Sequence, residues 1–294
     1  MKVRLGTRGS MLALAQSELV AARIRAAGHD VELIQIVTDG DVRPVDTVPG
    51  EGIFVTALAD ALKRREIDVA VHSAKDVPLE EDPALTIAAY PERADAHDAL
   101  VTRSGGRSLD TLPRHASVGT DSPRRAGFVL AARPDVRIVP LHGNVDTRLR
   151  RLDAGEVDAL VIAAAGLDRL GRGERIDQRI DVHVVPPAPA QGALAVQTRR
   201  SDSAIGEVLA PLDADDIRLA VAVERQVLSA TGGGCRAPVG AFAVVDGGTV
   251  DLVFGGVNSD GSDLKIDSIR ARRADAISMA DGAGRRLATA VTLR

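Results

Sequence analysis

The chain of 294 residues has no tryptophan, one tyrosine (Tyr90), four phenylalanines and a single cysteine. Aromatic residues make up only 2%, so the core must be built from Ala, Val, Leu and Ile, and ring stacking is not the main mode of ligand binding. A lone thiol excludes an intramolecular disulfide and a paired-cysteine zinc site. No apolar run approaches the roughly 20 residues of a membrane span. The opening Met-Lys-Val-Arg-Leu-Gly has no signal-peptide core. A formal net charge of −4 argues against a general nucleic-acid binder, which is usually basic. It leaves room for a small anionic ligand, because a few arginines converging on a cleft dominate the local field. There is no Walker loop, no Gly-x-Ser-x-Gly elbow and no His-Glu-x-x-His motif, and Gly6-Thr7-Arg8-Gly9-Ser10 lacks the third glycine of a dinucleotide fingerprint. These absences describe a soluble, cytoplasmic protein with a reduced thiol and no metal, nucleic-acid or membrane partner.

The cysteine itself is informative. It stands in Thr231-Gly232-Gly233-Gly234-Cys235-Arg236-Ala237-Pro238-Val239-Gly240. Three glycines remove every side chain that would shield the sulfur, and they allow positive φ. Two readings stay open: a small buried hydrophobe, as free cysteines often are, or an accessible attachment point or nucleophile. The glycine-rich approach and the following proline favour the second.

The length suits two domains, or three small ones. Val3–Gly6 reads as a strand and Ser10 as the cap of a helix to about Ala27, with Leu12, Ala15, Leu19, Ala22 and Ala26 as its apolar face and Gly28 as its stop. Val31–Val37 is a β-branched strand. The stretch Thr38–Gly52 is long for a connection and reads as a functional or disordered loop. A helix over Ile53–Arg65 and a strand over Asp68–His72 follow. This alternation predicts a parallel sheet with right-handed crossovers. The pattern restarts with a strand at Ala116–Gly119, a helix at Ser122–Ala132, a strand at Arg137–Leu141, a helix at Asn144–Ala154 and a strand at Asp158–Ala163 leading into a short helix. The proline-rich Val185–Gly192 reads as a crossing or hinge, and Ala193–Thr198 as a strand returning to the first domain. Asp215–Ala230 is an amphipathic helix. Strands at Pro238–Val245, Val250–Val257 and Asp263–Arg270, then a helix at Ala274–Ala290, make a small α+β end. No internal repeat is visible.

Ligands of open α/β sheets bind beyond the carboxyl ends of the strands, where this chain concentrates its polar residues. Arg8 and Ser10 follow the first strand; His72, Ser73, Lys75 and Asp76 follow the third. Thr120, Ser122, Arg124 and Arg125 open a helix in the second unit, and His142, Gly143, Asn144 and Arg148 follow its next strand. Arg169 comes after the strand that begins at Asp158. One arginine alone reads as a solvated charge, but four such clusters at equivalent places point to a ligand with several carboxylates or phosphates. Asp76 reads either as a salt-bridged or capping carboxylate, or as an ionised group that holds an N–H or stabilises a developing cation. His72 reads as acid–base or structural.

Together these motifs resemble the porphobilinogen deaminase (hydroxymethylbilane synthase) family. The resemblance rests on Gly-Thr-Arg-Gly-Ser at 6–10, Val-Thr-Asp-Gly-Asp at 37–41 and Ala-Val-His-Ser-Ala-Lys-Asp-Val-Pro at 70–78. It continues through Val-Gly-Thr-Asp-Ser-Pro-Arg-Arg at 118–125, Gly-Asn-Val-Asp-Thr-Arg-Leu at 143–149 and Ala-Gly-Leu-Asp-Arg-Leu-Gly at 165–171. Pro-Ala-Gln-Gly-Ala at 189–193 and Gly-Gly-Cys at 233–235 complete it, in family order over nearly the whole chain.

The resemblance implies an α/β fold of two hinged periplasmic-binding-protein-like lobes, with the active site between them, and a small α+β C-terminal domain. The implied domains are residues 1–92 with 193–212, residues 98–186, and residues 215–294. It implies a monomeric transferase of tetrapyrrole (haem) biosynthesis that joins four porphobilinogen molecules with loss of ammonia and releases hydroxymethylbilane by hydrolysis. It implies a dipyrromethane cofactor, thioether-linked to Cys235. Asp76 would stabilise the azafulvene cation. Arg8, Arg124, Arg125, Arg148 and Arg169 would neutralise the acetate and propionate groups. Ser10, Ser73, Lys75, Thr120, Ser122, Gln191 and Gly192 would position cofactor and substrate, with His142 and Gly143 at the same site.

Three places depart from the family pattern. His142 stands where arginine is common, Glu51 and Thr56 where lysine is common, and Asp121 where serine is common. A two-lobed binding protein for a small polycarboxylate would share the arginines without needing Cys235 or Asp76. A Ser-Lys hydrolase would use Ser73 and Lys75, but no oxyanion motif accompanies them.

Overall fold

A computed structural model describes residues 1–36, 53–80, 82–234 and 236–291. In chain order the first elements are β1 (Lys2–Thr7), α1 (Met11–Ala26), β2 (Asp30–Gln35), α2 (Ile53–Lys63), β3 (Val69–Ser73), β4 (Leu85–Ala89) and β5 (Asp98–Thr102). Next come β6 (Ser117–Gly119), α3 (Pro123–Ala132), β7 (Arg137–Val139), α4 (Val145–Asp153), β8 (Ala159–Ala163), α5 (Ala164–Arg169) and β9 (Gln178–Ile180). The chain ends with β10 (Leu194–Arg199), α6 (Ser203–Leu209), α7 (Asp215–Ala230), β11 (Val239–Asp246), β12 (Thr249–Gly256), β13 (Lys265–Arg272) and α8 (Ala276–Ala290).

Two compact units emerge, residues 1–94 with 193–218, and residues 95–192 with 219–294. The first unit holds a sheet of order β2-β1-β3-β10-β4. There β1 runs parallel to β2 and β3, while β10 runs antiparallel to β3 and β4. The second unit repeats the plan as β7-β6-β8-β5-β9, with β6 parallel to β7 and β8, and β5 antiparallel to β8 and β9. In each five-stranded sheet four strands share one direction and one, β10 in the first and β5 in the second, runs against them. This is the expected α/β class, with one sheet in each of two units and a small α+β C-terminal part.

The strands read as continuous apolar runs because both faces are covered. Val3, Leu5, Val69, Val71 and Val196 pack against Val20, Ala21 and Ile24 of α1. Each fully buried Val, Leu or Ile contributes about 1.5–3 kcal/mol relative to exposure. In the second unit Val118, Phe128, Val161 and Val257 share one cluster. Val257 follows β12, so the C-terminal hairpin packs onto α3. Gly127 makes that approach possible, since a Cβ there would meet the Asn258 carbonyl oxygen at 2.5 Å.

Most elements fall where the sequence places them, but α1 buries a different face. The structure covers Gln16, Ser17, Val20, Ala21 and Ile24, and leaves Leu19, Ala22 and Ala26 exposed. Strands β4, β5 and β9 were not anticipated. The end of the predicted strand at Val37, Glu51, the Thr38–Gly52 stretch and Cys235 lie outside the described residues.

Candidate functional site

In the first unit the chain leaves β1 at Thr7 and enters α1 through Ser10, whose hydroxyl accepts the Ala13 N–H at 3.2 Å. Such a cap stabilises the helix by roughly 1 kcal/mol. It keeps half-buried Arg8 on the short link between strand and helix. At the end of β3, the Ser73 hydroxyl accepts a bond from Gln16 Nε2 of α1 at 2.9 Å. A single 3-10 turn, Ala74–Asp76, follows and presents half-buried Lys75 and exposed Asp76. The Asp76 carboxylate has no hydrogen bond or ion pair among the described residues. Neither the salt-bridge nor the capping reading of Asp76 is met there.

His72, one residue before Ser73, is only 5% exposed and its Nε2 lies 3.1 Å from Gln197 Oε1 on β10. Burial, with the Arg8 charge adding, outweighs that bond and pushes its pKa down to about 4. The imidazole is therefore neutral near pH 7 and holds β3 to β10 rather than facing solvent as an acid or base.

The second unit gathers its predicted residues around one carboxylate that the sequence reading missed. Asp98 opens β5 and is wholly buried. Arg124 Nη2 lies 2.7 Å from its Oδ2, and Arg125 Nε lies 2.9 Å from its Oδ1. Gln191 Nε2 donates to the same Oδ1 at 2.9 Å and to the Ala96 carbonyl at 2.8 Å, and its Oε1 accepts from Arg125 Nη2 at 3.2 Å. Burial alone would raise the Asp98 pKa. The two guanidinium charges and the Gln191 bond reverse that and hold it at about 2. Arg124 and Arg125, 3% and 6% exposed, are thus built into the lobe, and the cluster keeps a surplus of one positive charge. Arg124 Nε is buried without a hydrogen-bond partner.

The other residues surround this cluster. Thr120 is buried, and its hydroxyl accepts the Ser122 N–H at 3.3 Å. Ser122 caps α3 by accepting the Arg125 N–H at 3.4 Å. Arg148 Nε donates to the Gly143 carbonyl at 2.7 Å. Burial and then the nearby Arg125 charge lower the Arg148 pKa to about 10, so it stays cationic. Arg169 Nη2 donates to the Gly192 carbonyl at 2.6 Å. His142 Nδ1 lies 2.6 Å from Asp121 Oδ2, so two of the departures from the family pattern face each other.

The segment 186–192 reads in the sequence as a hinge, yet within this unit it is fastened repeatedly. Arg124 Nη1 donates to the Pro186 carbonyl at 2.5 Å, and the Ala241 N–H to the Pro187 carbonyl at 2.9 Å. Ala190 adopts a left-handed φ of 66°, strained for a residue with a Cβ. Its N–H is held at 2.6 Å by Oε2 of Glu224, a fully buried acid of α7 whose Oε1 accepts the Ala243 N–H at 2.7 Å. Gly192 follows with φ 86°, a conformation that favours glycine. Gln16, Gln197 and Glu224 were all missed. The signal for Glu224 and Asp98 is an acid on an otherwise apolar helix face or strand.

A solvent-open groove of about 160 Å³ lies in the second unit, lined by Asp121, Ser122, Arg124, Pro189, Leu228 and Arg236 among others. Among the described residues no cluster of three or more His, Cys, Asp or Glu is arranged to hold a metal, and no helix is long and apolar enough to cross a membrane.

Comparison with known proteins matches residues 3–207 to the family description "Porphobilinogen deaminase, dipyromethane cofactor binding domain" and residues 218–291 to "Porphobilinogen deaminase, C-terminal domain". Porphobilinogen deaminase of Acidothermus cellulolyticus is 48% identical over 293 residues, covering 97% of this chain and 87% of the relative. That of Leifsonia xyli is 46% identical over 267 residues, covering 88% and 81%. Among solved structures, the methionine-binding protein MetQ aligns with a TM-score of 0.46 at 14% identity, over 76% of this chain and 94% of that one. Two family domains in sequence, and relatives nearly half identical along most of their length, establish that this chain belongs to the porphobilinogen deaminase family.

Proposed function

We propose that the protein is a transferase that joins four porphobilinogen molecules head to tail, with one ammonia lost at each join, and releases hydroxymethylbilane for tetrapyrrole biosynthesis. The observation that carries this reading is the pairing of chemistries in one chain. An exposed carboxylate without a partner among the described residues, Asp76, follows β3, and a largely buried cationic cluster surrounds Asp98.

The residues fit a dipyrromethane, which carries acetate and propionate arms. Arg124 and Arg125 outnumber the one buried carboxylate they face, and Arg148, whose charge acts on Arg125, adds a third cation. The only thiol in the sequence, Cys235, is the attachment point for a thioether. When bound, this group supplies the primer to which substrate is joined. The C-terminal residues 215–294 that bear it form the third domain in this reading, beside domains of residues 1–92 with 193–212 and of residues 98–186.

Arg8, Arg124, Arg125, Arg148 and Arg169 neutralise ligand carboxylates. Ser10, Ser73, Lys75, Thr120, Ser122, His142, Gly143, Gln191 and Gly192 position them. Ammonia departs from the substrate aminomethyl carbon and leaves an azafulvene cation. Asp76 offsets that charge, holds the pyrrole N–H, and takes up the proton displaced when the new carbon–carbon bond forms. No stronger base is needed, since the proton leaves an already cationic ring. The same reading takes the enzyme as monomeric and cytoplasmic, where its thiol stays reduced.

Asp76→Asn tests it. The amide keeps the shape and loses the charge, so turnover should fall by about 100- to 1000-fold. Because Asp76 is exposed and without a partner among the described residues, stability should stay within about 0.5 kcal/mol. Hydroxymethylbilane formation at the wild-type rate in this variant would remove the carboxylate from the chemistry.

A further inference from the structure

We infer that Arg236 is a carboxylate-binding residue of the groove it lines, placed to hold an acidic arm of the first pyrrole that the chain carries. This rests on the function proposed above and adds a residue to it.

Arg236 is exposed, and its guanidinium makes no hydrogen bond or ion pair among the described residues. The carboxylate that lines the same groove is already engaged, for Asp121 lies against His142. The same groove is lined by a second cation, the largely buried Arg124. It also takes in Ser122 and the start of α3, a ten-residue helix whose dipole favours an anion. Pro189, Leu228 and Val239 supply an apolar wall. The lining therefore suits a flat apolar ring with short carboxylate arms.

Covalent geometry places such a ring within reach. Arg236 directly follows Cys235, and consecutive Cα atoms lie about 3.8 Å apart. A ring bound to the thiol starts within one arginine side chain of the Arg236 backbone. The guanidinium fork then matches a carboxylate with two parallel bonds, which an amide or a neutral ester arm would not satisfy.

The test follows loading of the thiol directly. Protein prepared without cofactor is incubated with graded porphobilinogen, and the fraction carrying two pyrrole units is read by intact mass under denaturing conditions. Arg236→Gln should raise the half-saturating porphobilinogen concentration for loading by about tenfold with an unchanged plateau. Arg236→Lys, which keeps the charge without the fork, should recover part of that. The rise in Tm on loading should shrink in the same order. Arg64→Gln, at an exposed pair with Glu66 in the first unit, should load as wild type. Superimposable loading curves for wild type and Arg236→Gln would overturn the inference and leave the proposed function standing. A wild type that gains no mass would overturn both.

Discussion

Buried without compensation, a carboxylate moves toward its neutral form, yet Asp98 moves the other way because two guanidinium groups and a side-chain amide face it. Its folded pKa of about 2 lies below the usual aspartate value, so the folded chain binds its proton less readily than the unfolded chain. That contribution is complete above about pH 4 and is lost as pH falls toward 2, on the order of 2 kcal/mol. Asp98→Asn removes the counter-charge of two buried arginines and should cost about 3–5 kcal/mol in urea unfolding. Adding Arg124→Gln should return part of that loss, and strict additivity of the two changes would contradict the coupling. The arginines proposed for the ligand were readable from sequence because they sit in motifs after strands. Their buried partner was not, because an aspartate at the start of Asp98–Thr102 looks like an ordinary strand boundary. Sequence position marks where an arginine is, but only packing shows that Arg124 and Arg125 also pair with a carboxylate of the protein itself.

At the scale of elements, local signals worked where chemistry was local. Ser10 caps the helix it was expected to cap, Ser122, read as the first helical residue, caps α3, and the Gly247-Gly248 turn joins β11 to β12. They failed where partners are distant. Helix α1 is rich in alanine, so its apolarity is nearly even around the axis, and its buried face is chosen by contacts, including the Gln16–Ser73 bond. Strands β4, β5 and β9 lack a following helix of the βαβ pattern and pair with strands far along the chain.

The pairing of β3 with β10 carries its own pH signature through His72. Below about pH 6.5 the unfolded chain takes up a proton on this imidazole that the folded chain refuses until about pH 4. Stability should therefore fall by roughly 3 kcal/mol between pH 6.5 and 4. His72→Asn, which retains a donor toward Gln197, should flatten that window. Equal slopes for both proteins would place the effect elsewhere.

For the whole molecule, two sheets with the same strand plan arise from segments without visible repetition, because strand order follows from burying βαβ faces rather than from residue identity. The chain passes from one unit to the other after Ala94, Gly192 and Arg218. At the second of these crossings, residues 186–192 are held by Arg124, Arg125, Arg169 and Glu224. Residues expected to serve only the ligand therefore also fix the segment that bears Gln191. The most direct measurement is the intact mass of the purified protein under denaturing conditions. It should exceed the mass of the bare chain by two linked pyrrole units, and Cys235→Ser should lack that increment. Active protein with the mass of the bare chain would contradict a covalent dipyrromethane on Cys235 and the polymerisation built on it.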